Sequence, residues 1–186
     1  KKQNKTFEDL IENIDIGGPT MIRAAAKNFT DVIVITDTKD YQNIIDKIEA
    51  DNEFTYEERK KYAAKAFSLT SYYDSLIFNT INPELFSHEH ITLPLKKTMS
   101  LRYGENPNQK AYYYSNSTFP NPLPHRLLHG KELSYNNLND IFTSIEIMKD
   151  FEQPTAVIIK HCNPCGLAIG KDIEEAFEKA RSSDPL

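Results

Sequence analysis

Lys160-His161-Cys162-Asn163-Pro164-Cys165 puts a cation, an imidazole and both of the chain's cysteines within six positions. They come directly after Thr155-Ala156-Val157-Ile158-Ile159, a run that predicts a buried strand. Gly166 comes next, so the cluster reads as a strand-end turn. A histidine beside a fixed positive charge has its pKa lowered, which keeps the ring neutral and basic near pH 7. The same cation can stabilise a developing oxyanion. Acyl or formyl transfer to a weak amine needs both functions. The plain alternative is a strand-end lysine in solvent beside a satisfied histidine.

Cys162 and Cys165 form a C-x-x-C with readings of its own. A structural zinc site wants four ligands, and no second C-x-x-C is present. His88, His90, His125 and His129 could contribute only through tertiary contacts. A thiol redox motif needs a helix to start at the cysteine, whereas Gly166-Leu167-Ala168-Ile169-Gly170 intervenes. The third reading makes both cysteines small buried fillers. A thiol redox or zinc-binding module built on Cys162 and Cys165 is the alternative function.

Other candidates are scattered. Gly17-Gly18-Pro19 before a helix can offer backbone N–H groups to an anion, although a plain turn explains it too. Lys27 lies in an Ala-rich helix, where a solvated lysine is ordinary. Arg102-Tyr103 could clamp a phosphate and stack on a flat ring, or form a sheet-edge pair.

Local rules give the helices and strands that carry these groups. Residues 7–14 are amphipathic. Pro19 suits the first turn of a helix ending at Asn28, a candidate left-handed cap. Asp31-Val32-Ile33-Val34-Ile35-Thr36 predicts a buried strand, and residues 41–50 a helix broken by Asp51-Asn52. Thr55 with Glu58 is a capping box that opens a helix to about Ile81. Its apolar face carries Tyr62, Ala66, Phe67, Tyr73, Leu76 and Ile77, and Asn82-Pro83 ends it. Residues 84–97 show no clear period and hold the domain boundary. Residues 99–109 read as extended chain and turn, 111–114 as a strand, 119–124 as a proline-rich loop and 130–137 as a polar turn. A helix is expected at 140–151 with Ile141, Ile145 and Met148 inward, and a last one at 172–181. This order predicts an α/β class.

Composition narrows the function classes. The chain has 186 residues, 26% charged and 39% hydrophobic, with net charge -5. No apolar run approaches the roughly 20 residues of a membrane span. No basic stripe interleaved with aromatics points to nucleic acid. No signal-peptide pattern is visible, and two cysteines make no disulfide scaffold. A cytoplasmic protein is the expectation. The start without Met and the stop after a helix-like run predict a piece of a longer protein.

Five stretches in order carry a resemblance. They are Ile11-Glu12-Asn13-Ile14-Asp15-Ile16-Gly17-Gly18-Pro19, Arg23-Ala24-Ala25-Ala26-Lys27-Asn28, Leu101-Arg102-Tyr103-Gly104-Glu105-Asn106-Pro107, Gly130-Lys131-Glu132-Leu133-Ser134-Tyr135-Asn136-Asn137 and Lys160-His161-Cys162-Asn163-Pro164-Cys165-Gly166. Together they resemble the bifunctional purine-biosynthesis family that joins phosphoribosylaminoimidazolecarboxamide (AICAR) formyltransferase to IMP cyclohydrolase. The resemblance spans nearly the whole chain.

It implies two α/β domains. Residues 1–93 would be the C-terminal part of a methylglyoxal-synthase-like cyclohydrolase domain. Residues 98–186 would be the start of a cytidine-deaminase-like formyltransferase domain. It implies Asp15 and Ile16 against a nucleotide and Lys27 as the acid/base of ring closure. It implies Arg102, Tyr103 and His161 on AICAR, with His161 the proton acceptor and Lys160 the transition-state stabiliser. The co-substrate would be 10-formyltetrahydrofolate, with no metal in the chemistry. AICAR, formyl-AICAR and IMP would be the ligands of a homodimer whose formyltransferase sites lie at the subunit interface, with no nucleic acid or membrane partner. The family's upstream phosphate-binding half and downstream folate-binding part would be needed, so this stretch alone is expected to have neither activity. Two positions depart from the family pattern: Asn108, where a histidine is usual, and Cys162, where other residues are common.

Overall fold

The computed structural model describes residues 6–82, 84, 89–116 and 128–183. Pro83, His88, the 119–124 loop, His125 and the chain ends lie outside the described residues. The chain divides into two compact units, Lys1–Pro94 and Leu95–Leu186.

Unit 1 is helical among its described residues. It contains α1 (Phe7–Glu12), α2 (Gly17–Lys27), a 3-10 turn (Thr38–Asp40), α3 (Tyr41–Glu49) and α4 (Tyr56–Ile81). The capping box at α4 forms as predicted. Thr55 Oγ1 accepts the Glu58 N–H at 3.2 Å, and Glu58 Oε2 accepts the Thr55 N–H at 2.8 Å. Asp51-Asn52 ends α3 through a left-handed Asp51 with φ 52°. The Asp51 N–H bonds to Ile48 O and the Asn52 N–H to Lys47 O, which satisfies the last carbonyls of the helix.

The small residues of α2 bring it against α4. Ala26, Ala63 and Ala66 are buried, and Ile22, Phe29 and Val34 close around them. Phe29 meets Tyr56 with ring centroids 5.2 Å apart. Lys65 reaches from α4 to Asp37 at 3.0 Å and Asp40 at 2.6 Å, fixing the 3-10 turn.

Three expectations fail in unit 1. Residues 31–36 are not a paired strand. Val34 packs on the alanine cluster, but Val32 is 36% exposed. A strand is defined by a hydrogen-bonded neighbour, and no described segment supplies one here. Asn28 caps α2 with φ -92°, outside the left-handed region. Phe67, expected on the apolar face of α4, is half exposed and lies under the Arg23 guanidinium at 5.7 Å.

Unit 2 holds β1 (Leu95–Leu101), β2 (Ala111–Asn116), α5 (Tyr135–Met148), β3 (Thr155–Lys160), β4 (Asn163–Ile169) and α6 (Ile173–Ser183). Its described strands make two antiparallel ladders, β1 with β2 and β3 with β4. Leu101 and Leu138 form a core that ties the first ladder to α5, together with Met99, Tyr113, Ile141 and Phe142. α6 covers β3 and β4 so closely that a Cβ on Gly166 would collide with the Ala180 carbonyl.

Here too the boundaries shift. β1 starts at Leu95, inside the stretch that showed no period. α5 starts at Tyr135, not residue 140, because Ser134 and Asn137 form a capping box. Met148, expected inward, is 36% exposed. The turn expected over 160–166 shrinks to His161 and Cys162, and β4 takes up the rest. The chain is a mixed α/β protein, with its described strands all in unit 2.

Candidate active sites

Unit 1 carries Asp15, Ile16 and Lys27 on the flanks of α2. The Asp15 N–H donates to the Tyr73 hydroxyl of α4 at 2.9 Å. Asp15 Oδ1 accepts the Gly18 N–H at 3.0 Å. A Cβ on Gly18 would collide with Asp15 Oδ2. Gly18 therefore serves the chain's own carboxylate: at its N–H, Asp15 already stands where an external anion would bind. Ile16 is 71% exposed beside it. Lys27 is exposed in the last turn of α2. At 1.5 Å per residue the helix puts about 15 Å between its two ends. Asp15 and Lys27 are thus not in mutual contact along α2; a shared ligand must lie along the helix.

Unit 2 organises its candidates around the first turns of α5. Two backbone bonds hold the Arg102-Tyr103 segment to the residues entering the helix. Arg102 N–H donates to Leu133 O at 2.8 Å, and Tyr135 N–H to Tyr103 O at 3.0 Å. Asn136 Nδ2 donates to Glu105 O at 3.3 Å. Arg102 Nη2 donates to the Tyr103 hydroxyl at 3.2 Å, with its guanidinium 4.8 Å from the ring centroid. That hydrogen bond, a second from Ser134 and the charges of Arg102 and Lys131 hold the Tyr103 phenol below its usual pKa.

His161 sits at the tip of the β3–β4 hairpin. Lys160 pairs with Asn163, which leaves His161 and Cys162 as a two-residue loop. Both have positive φ, 53° and 59°. That pair of dihedrals is what a type I′ turn requires, and Asn-Gly is its preferred sequence. Side chains with a Cβ are disfavoured there by roughly 1–2 kcal/mol per residue. The tip is held from two sides. Asp140 Oδ1, on α5, accepts the Cys162 N–H at 2.8 Å. Asn163 Nδ2 donates to His161 O at 2.9 Å. A hydrogen bond to a charged acceptor contributes about 1.5–3 kcal/mol, enough to offset much of the strain.

An open cleft of about 310 Å³ lies between tip and helix, lined by Glu105, Asn136, Asn139, Asp140, His161 and Cys162. Lys160 and His161 are brought together by sequence, and His161 and Glu105 by this cleft. Glu105, Ser134, Asn136, Asn139 and Asp140 are not among the residues that sequence reasoning singles out. The sequence does hold one signal for them: a polar Ser-x-x-Asn start, then Asn139-Asp140 in the first turns of the helix.

The cysteines do not behave as either alternative requires. Both are free thiols. Cys165 is partly buried and its Sγ contacts Ile158 O at 3.5 Å. Cys162, expected as packing, is exposed because it occupies the hairpin tip. Strand β4, not a helix, runs through Cys165 and on to Ile169, so neither thiol gains a helix N-terminus. Among the described residues no group of three His, Cys, Asp or Glu could hold a metal ion.

The chain belongs to the AICARFT/IMPCHase bienzyme family, whose model matches residues 25–186. It is 48% identical over 186 residues to the bifunctional purine biosynthesis protein PurH of Clostridium botulinum strain Hall. It is 48% identical over 192 aligned residues to the protein of the same name from Caldicellulosiruptor bescii. Each alignment covers 100% of this chain and 37% of the relative, so the chain spans little more than a third of those proteins.

Proposed function

We propose that the protein catalyses two consecutive steps of purine biosynthesis. Unit 2 contributes to formyl transfer from 10-formyltetrahydrofolate to the amine of AICAR. Unit 1 contributes to dehydrative closure of formyl-AICAR to IMP. Family membership and the name its relatives share support the pair of activities. The observation that carries the formyl-transfer half is the convergence of the Arg102-Tyr103 segment and the His161 tip on the start of α5.

AICAR's amine is conjugated with its ring and is a poor nucleophile. His161 accepts the amine proton as nitrogen attacks the formyl carbon. Lys160 stabilises the oxyanion of the tetrahedral intermediate. Its collapse breaks the bond to N10 of the folate, which leaves with a proton. Arg102 binds the phosphate: a guanidinium has five N–H donors, so the bond to Tyr103 leaves capacity for it. Tyr103 stacks on the base. In ring closure the carboxamide nitrogen attacks the new formyl carbon and water leaves. Asp15 and Ile16 hold the nucleotide at one end of α2, and Lys27 moves the proton from the other. This reading takes unit 1 as part of a methylglyoxal-synthase-like domain and unit 2 as part of a cytidine-deaminase-like one. It places the protein in the cytoplasm as a homodimer. Among the described residues no helix is long and apolar enough to cross a membrane.

The test uses the full-length protein and two assays, formyl transfer to AICAR and cyclisation of supplied formyl-AICAR. His161→Ala should lower transfer by about 10²–10⁴-fold and spare cyclisation. Lys27→Ala should do the reverse. Transfer at the wild-type rate in His161→Ala overturns the assignment. Loss of transfer in a Cys162→Ser, Cys165→Ser variant with His161→Ala still active would favour thiol chemistry instead.

A further inference from the structure

We infer that Asp140 is a positioning residue for His161, holding the hairpin tip in the left-handed conformation that aims the imidazole into the cleft. This rests on the role proposed for His161 in formyl transfer. Three observations carry it. First, the tip adopts positive φ at two consecutive residues that both bear a Cβ, so without external ties it would relax to other dihedrals. Second, Asp140 lies 22 residues away in sequence, yet its Oδ1 takes the Cys162 N–H at 2.8 Å. The Asn163 side chain, in contrast, ties the hairpin only to itself. Third, α5 also holds the Arg102-Tyr103 segment, through Tyr135 N–H to Tyr103 O and Asn136 to Glu105 O. One rigid helix therefore sets the distance between the nucleotide-binding segment and the imidazole. Asp140 Oδ1 is engaged by a backbone N–H of the tip, which gives Asp140 a geometric role.

The test again uses the full-length protein. Asp140→Ala should lower kcat for formyl transfer by about ten- to a hundredfold, as misplacement of a reacting group does, with KM for AICAR little changed and cyclisation intact. Asp140→Asn keeps an acceptor oxygen and should retain most of kcat. Adding Cys162→Gly to Asp140→Ala should recover activity, because glycine takes positive φ without the Cβ penalty. Amide hydrogen exchange at Cys162 gives a readout independent of catalysis. Protection should be lost in Asp140→Ala and kept in Asp140→Asn. Wild-type kcat in Asp140→Ala overturns the inference. So does equal damage from Asp140→Asn, or failure of Cys162→Gly to rescue. If His161→Ala retains transfer, the functional reading fails, while the exchange data still decide whether Asp140 holds the tip.

Discussion

Asp15 and Gly18 are locked together: the Asp15 carboxylate accepts the Gly18 N–H at 3.0 Å and fills the space a Cβ on Gly18 would need. Tyr73 pins the same turn from α4 through the Asp15 N–H. The Asp15 backbone is therefore held by the Tyr73 hydroxyl and its carboxylate by the Gly18 N–H. Gly18→Ala forces Asp15 out of this position. If Asp15 holds the nucleotide for ring closure as proposed, cyclisation of formyl-AICAR should fall about tenfold or more. Formyl transfer, assigned to unit 2, should be unchanged. Steady-state kinetics of both reactions check this; wild-type cyclisation in Gly18→Ala would show that the lock has no part in the site.

Glu58 gives a pH dependence with a definite sign. Hydrogen bonds from Lys47, at 2.6 Å, and from Thr55 lower its pKa from 4.5 to about 2. A carboxylate with a depressed folded-state pKa stabilises the protein fully above its unfolded value. That contribution is lost as pH falls from about 4.5 towards about 2. Asp37 and Glu175 are also lowered and add slope of the same sign, so a difference measurement is needed. The gap in thermal midpoint between wild type and Glu58→Gln should be widest above pH 5 and close steadily below it. A gap that is flat from pH 6 to pH 2 contradicts the lowered pKa.

The sequence shows whatever is decided within a few residues. Thr55 with Glu58, and Asp51 with Asn52, set the helix ends expected of them, because caps are local hydrogen bonds. Residues 31–36 look like a strand by composition, yet pairing is a property of a neighbour, and none is present among the described residues. The apolar pattern starts α5 too late because its capping box uses Asn137 in place of the usual Glu or Gln. The hairpin tip is illegible for a sharper reason. His-Cys is not a type I′ sequence, and the group that holds it, Asp140, is 22 residues upstream. Lys160, His161, Arg102, Tyr103, Asp15, Ile16 and Lys27 enter through motif resemblance. For Arg102, Tyr103 and His161 the structure adds the scaffold beneath them, the use of α5 as a common platform.

Ser134 joins that scaffold to the electrostatics of Tyr103. It is buried, its Oγ accepts the Asn137 N–H at 3.3 Å, and it hydrogen-bonds the Tyr103 hydroxyl. Ser134→Ala removes both interactions while preserving volume. Losing a helix N-cap costs about 0.5–2 kcal/mol, so the thermal midpoint should drop by a few degrees. The phenol, deprived of one of the bonds that favours its ionised form, should titrate at higher pH. Arg102 remains the larger influence, so the shift should be upward but incomplete. NMR titration of ring-labelled tyrosine, with Tyr103 assigned by Tyr103→Phe, reads this directly. A Tyr103 titration unmoved by Ser134→Ala would mean that Ser134 acts on α5 alone, and that Arg102 by itself sets the phenol.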